Sequence, residues 1–150
     1  MSSFSVLLFM VACSGNDLDL QNQPLSGTIG GESWEYDLAN AFPLGGRQFR
    51  IQFLSENEPV TDACTLPSPG LTHVKAIFVP AVGDFTVSPI AIDENQVQVA
   101  FQISPSVSVD ATSGFMSIFD INNSTIVGYL QAVLNDDNTV EGAFRVSLCN

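Results

Sequence analysis

The clearest pattern in the chain is alternation. From residue 96 to 103, Val97, Val99, Phe101 and Ile103 fall on one side and Gln96, Gln98, Ala100 and Gln102 on the other. That is the two-residue period of a strand with one wet face. Residues 48–53 repeat it, with Phe49, Ile51 and Phe53 inward and Arg50 and Gln52 outward. Residues 140–148 do so again, setting Val140, Gly142, Phe144, Val146 and Leu148 against Glu141, Ala143, Arg145 and Ser147. Shorter β-type runs at 26–29, 33–36, 73–79, 83–87, 107–109, 114–121 and 125–134 fill the intervals, and no long window at helical period interrupts them.

The breaks between these runs are turn-formers. Gly30-Gly31, Asn122-Asn123 and Asn135-Asp136-Asp137-Asn138 each supply residues that tolerate left-handed backbone. About ten short strands at such spacing predict an all-β fold, an antiparallel β-sandwich of about 8–10 strands, with a small β-barrel as the alternative. Residues 55–71 read as a long crossover between two sheets, which favours the sandwich.

The first residues follow another logic. The apolar run from Val6 to Ala12 is too short to span a bilayer and has the character of a secretory signal core. It ends in Met10-Val11-Ala12-Cys13, which resembles the bacterial lipobox, where the cysteine is acylated and becomes the new N-terminus. The expected organisation is a signal peptide over 1–12, a polar tether over 13–24 and one β domain over 25–150. A triacylated Cys13 meets the two-signal requirement for stable membrane anchoring. Lipidation also settles an odd cysteine count, because Cys64 and Cys149 are then a pair in an oxidising compartment and are expected to form a disulfide.

Charge narrows the partners. The 150 residues carry 4 Lys+Arg against 16 Asp+Glu, a net −12, so nucleic acid is not expected as a partner. Only 13% of residues are charged and 45% are hydrophobic, a composition that folds rather than staying disordered.

Several stretches, Gly27-Thr28-Ile29-Gly30-Gly31-Glu32-Ser33-Trp34, Ala111-Thr112-Ser113-Gly114-Phe115-Met116-Ser117-Ile118, Val127-Gly128-Tyr129-Leu130 and the closing residues 140–149, are similar to those of small β-sandwich lipoproteins of Bacteroidota. The resemblance implies an outer-membrane or cell-surface location and no particular activity.

Candidate chemistry is sparse. His73 is the single histidine and stands in no nucleophile motif, so it is expected to be a surface strand residue. Trp34, Tyr36 and Tyr129 are candidates for an aromatic platform that stacks sugar rings, with core packing as their other use. Asp136, Asp137 and Asn138 with Glu141, or Asp93-Glu94-Asn95, could offer oxygen ligands to calcium, although neither has EF-hand spacing. The sequons in Asn122-Asn123-Ser124-Thr125 are expected to act as turn residues. No catalytic constellation stands out and no cofactor is implied. The expected role is a lipid-anchored binding or structural accessory domain, with a glycan or an envelope protein as partner. The alternative is a small glycan hydrolase using loop carboxylates.

Overall fold

The computed structural model describes residues 23–55, 64, 72–90 and 93–149. They are all β: β1 (Ser26–Ile29), β2 (Glu32–Gly45), β3 (Gln48–Ser55), β4 (His73–Phe78), β5 (Gly83–Val87), β6 (Gln96–Ser104), β7 (Val107–Asp110), β8 (Ser113–Ile121), β9 (Thr125–Asn135) and β10 (Asn138–Leu148). The expected signal peptide, Cys13 and most of the tether lie outside the described residues.

The strands run edge to edge as β4-β3-β2-β1-β10-β9-β8-β5-β6, and β6 pairs back onto β4. That pairing closes a nine-strand barrel, with β7 added along β6. Of the two all-β architectures expected, the ring of pairings realises the barrel, which leaves its nine strands with few free edges. All pairings between these strands are antiparallel except β5 with β6 and the short contact of β10 with β2. The crossover reading of 55–71 is corrected, because β3 and β4 are direct antiparallel neighbours, with Ile51 opposite Ala76 and Phe53 opposite Val74. The connection joins adjacent strands rather than two sheets.

The alternation seen in the sequence sorts correctly into the barrel. Ile51, Phe53, Val97, Val99, Phe101, Val140, Phe144 and Val146 are all buried in one continuous core. Phe53 is its pivot, meeting Phe144 edge-to-face at 5.1 Å and Tyr36 at 6.0 Å. Each such fully buried ring contributes on the order of 2–3 kcal/mol relative to exposure. Small residues offset large ones across the ladders, with Ala76 between Ile51 and Val99. The interior is filled by side chains.

β2 is much longer than the expected 33–36. Asp37, Asn40 and Pro43 look like strand breakers in isolation. Pairing with β3 overrides them, and the ladder accommodates them through irregularities at Tyr36/Leu38 and Pro43/Gly45.

Two outward assignments are also corrected. Gln52 and His73 were expected to meet solvent but are buried, as is Leu54, the Cα partner of His73. The outer face of β3 and β4 is therefore covered around Gln52, Leu54 and His73, while Arg50, Lys75 and Ile77 beside them stay partly exposed. Cys64, on the chain between these strands, is bonded to Cys149 at the end of β10, with a Cα separation of 5.4 Å. The Cys149 N–H in turn donates to Ala41 O of β2 at 2.9 Å.

Candidate functional site

A filled barrel leaves its outer wall and its ends for recognition. On that wall β8, β9 and β10 lie side by side, with Ser117 opposite Tyr129 and Tyr129 opposite Ala143. Strand parity turns Phe115, Tyr129 and Glu141 outward, because Met116, Leu130, Val140 and Gly142 face the core. Phe115 and Tyr129 stack with ring centroids 5.8 Å apart and planes 18° off parallel. Phe115 is 41% exposed and Tyr129 only 7%, so Phe115 is the open face and Tyr129 the support behind it.

The Tyr129 hydroxyl donates to Glu141 Oε1 at 2.6 Å. Burial, the hydrogen bond and the charge of Glu141 together push the Tyr129 phenol up to about 12. The ring is thus a neutral donor at any ordinary pH, held flat by the carboxylate.

Beside this group lies an open cleft of about 310 Å³ lined by Gln23, Ser26, Tyr129, Thr139, Glu141 and Gly142. Its origin is a kink in the chain before β1. The Leu25 N–H donates to Ala143 O at 3.0 Å, while the Ala143 N–H donates to Gln23 O at 2.7 Å. Pro24 and Leu25 are thereby folded tightly over Gly142. A Cβ at Gly142 would come within 2.6 Å of Leu25 N and Cα, and its φ of 148° is a conformation that favours glycine. The close passage of Pro24 and Leu25 is possible only because residue 142 has no side chain.

The expected site residues separate into distinct roles. Trp34 is buried in the core, so it is no platform. Tyr36 packs on Phe53, and its hydroxyl accepts the Arg145 backbone N–H at 3.2 Å. Of the three aromatics, Tyr129 alone reaches the cleft. Asp136 and Asp137 are exposed in the turn between β9 and β10, which the Asn135 carboxamide braces by accepting the Asp137 N–H. Asn138 is buried and fully engaged: its Oδ1 accepts the Gly30 N–H at 2.9 Å and its Nδ2 donates to Asn135 at 3.2 Å. It clasps the Gly30-Gly31 hairpin, whose φ values of 60° and 80° suit a tight two-residue turn. Glu141 points to Tyr129 rather than to that turn. Glu94 pairs with Arg47 at 2.9 Å. Among the described residues no three carboxylate, histidine or thiol groups gather in a metal-holding cluster. Asn122 takes the N–H groups of Ser124 and Thr125 on its Oδ1, a hairpin turn as expected.

Phe115 is the residue that sequence reasoning missed. The signal was there in parity, since Phe115, Ser117 and Phe119 form the odd set of a strand whose even members, Met116 and Ile118, are apolar and buried. Comparison of the chain with protein-family models, with curated proteins and with solved structures returns no match in any of the three.

Proposed function

We propose that this chain is a lipid-anchored cell-envelope protein whose barrel is a non-enzymatic binding module for surface glycans. The reading is carried by one observation: an exposed aromatic face, Phe115 on Tyr129, stands beside an open cleft edged by a carboxylate, an amide and two hydroxyls. Sugars present flat C–H faces to aromatic rings and hydroxyls to such polar groups, and recognition sites of this kind combine a few convergent polar atoms with apolar surface. The Cys64–Cys149 bond suits the oxidising side of a membrane. Cys13 supplies the anchor.

Two measurements test the two halves. Fractionation of cells making Cys13→Ala should find the protein in the soluble fraction, and persistence with membranes would remove the anchor. A glycan array should give binding without hydrolysis, reduced roughly fivefold by Phe115→Ala, since a stacking contact is worth on the order of 1 kcal/mol. Turnover of any bound glycan would favour the hydrolase instead.

A further inference from the structure

We infer that the outer wall over β2, β3 and β4 is a second site, built for a small oxyanion that also bears a hydroxyl, such as hydrogen phosphate or a sugar acid. It goes beyond the glycan reading and does not depend on it.

Among the described residues five buried side-chain N or O atoms lack a hydrogen-bond partner, and four of them are Asn40 Oδ1, Asn40 Nδ2, Gln52 Oε1 and Arg50 Nε. Register brings these four together. Asn40 is the Cα partner of Gln52, and Arg50 lies two residues before Gln52 on the same face of β3. Asn40 and Gln52 are thus direct cross-strand neighbours, with Arg50 diagonal to Asn40 at about 7–8 Å. Ala39, Ala41, Ile51 and Phe53 take the opposite parity and fill the core, so the polar set faces outward. Asn40 is nevertheless 0% exposed and Gln52 6%. An unpaired buried amide is costly, so such groups persist where a partner satisfies them.

Positive charge gathers at the same place. Of the four cations in the protein, Arg47 is paired with Glu94. The other three border the amides: Lys75 is the Cα partner of Gln52, Arg50 is diagonal to Asn40, and Arg145 stands two residues before Ser147, the Cα partner of Asn40. None of these three side chains bonds a carboxylate among the described residues. The described acids that border the patch are Asp37, three residues before Asn40, and Asp110, two strand spacings from Lys75 by way of Ala100, each about 10 Å off. Glu56, Glu58 and Asp62 lie outside the described residues.

The wall passes from covered at Asn40 and Gln52 to partly exposed at Arg50 and Lys75, so a ligand entering between the cations meets the amides behind them. The unpaired set is mixed. Arg50 Nε and Asn40 Nδ2 donate, which suits an anionic oxygen, while Asn40 Oδ1 and Gln52 Oε1 accept, which suits a hydroxyl. Hydrogen phosphate and hydroxy-carboxylates carry both groups.

The test is a titration of the full-length protein, followed through the side-chain N–H resonances of Asn40, Gln52 and Arg50, with sodium phosphate, sodium galacturonate and sodium chloride at matched ionic strength as probes. Phosphate or galacturonate should shift these resonances saturably, with a millimolar or tighter dissociation constant, and chloride should not. The tighter of the two identifies the source as a phosphorylated ligand or an acidic sugar. Arg50→Met and Lys75→Met should each weaken binding roughly tenfold, the loss expected for one charged hydrogen bond, with the backbone spectrum otherwise unchanged. Arg47→Gln removes a cation already paired with Glu94 and should leave the affinity as it is. Shifts that chloride reproduces, affinity that survives both Met variants, an equal loss in Arg47→Gln, or no saturable shift with either oxyanion would each overturn the site.

Discussion

The Tyr36 hydroxyl accepts the Arg145 N–H at 3.2 Å in the gap where β10 changes partners. Up to Ala143 the strand is bonded to β1 and the chain before it, and from Ser147 it meets Asn40 of β2. Arg145 falls between, with the same edge orientation as Ala143, so its N–H would have no strand to reach. A side chain from β2 fills the break in the ladder. Tyr36→Phe should therefore accelerate amide exchange at Arg145 well above its β10 neighbours. The global cost should be about 1 kcal/mol or less, because the bond is open enough for water to substitute. Unchanged exchange at Arg145 would show that the hydroxyl is not its protection.

Tyr129 gives a pH signature. Its folded-state phenol is raised from 10.0 to about 12, chiefly by burial and then by Glu141. The stabilising effect is complete below about pH 10; above it the unfolded chain loses the proton while the folded one keeps it. Stability should fall as pH climbs from about 10 to about 12. Denaturant midpoints across that window should lose most of this slope in Tyr129→Phe. An ultraviolet titration should show a late tyrosinate component absent from that variant.

The strand periods made most of this barrel readable from sequence, because a one-residue slip would turn each apolar set outward. Val97, Val99 and Phe101 face the core as their alternation requires. Closure was not readable: it depends on β4 meeting β6, a pairing between strands whose local sequences carry no record of each other. Gln52 and His73 were misjudged for a related reason, since alternation reports a strand's own two faces and not what covers them. At the site Tyr129 and Glu141 were each singled out, but for different chemistries. Only register sets them side by side across β9 and β10, with Tyr129 opposite Ala143 and Gln131 opposite Glu141.

The disulfide should carry much of the domain's stability. Cys64 and Cys149 are 85 residues apart in sequence. Closing a loop of that size restricts the unfolded chain by about 4.5 kcal/mol in the chain-entropy model. Cys64→Ser with Cys149→Ser should lower the thermal midpoint by on the order of 10 °C or more, and reductant should do the same to the parent but not to the double variant. A midpoint that reductant leaves in place would show that the bridge contributes little.

Gly142 is where fold and site depend on one missing atom. It faces inward between Val140 and Phe144, pairs with Leu130, and lets Pro24 and Leu25 pass so closely that a Cβ would meet Pro24 O at 2.5 Å. Those are backbone atoms, so they cannot yield by a rotamer change, and the φ of 148° adds strain for any other residue. Gly142→Ala should push the segment at Pro24–Leu25 off β10 and free Leu25, which is fully buried. The expected loss is about 2–4 kcal/mol, from overpacking plus the exposure of a leucine. The cleft should suffer beyond that, since Gln23 and Ser26, on either side of the displaced residues, form one of its walls. At temperatures where the variant is still folded, its amides at Ser26 and Gly27 should exchange faster than those of β3 and β6, and glycan affinity should drop with them. Uniform loss of protection across all strands would instead place the effect of Gly142 in the core alone.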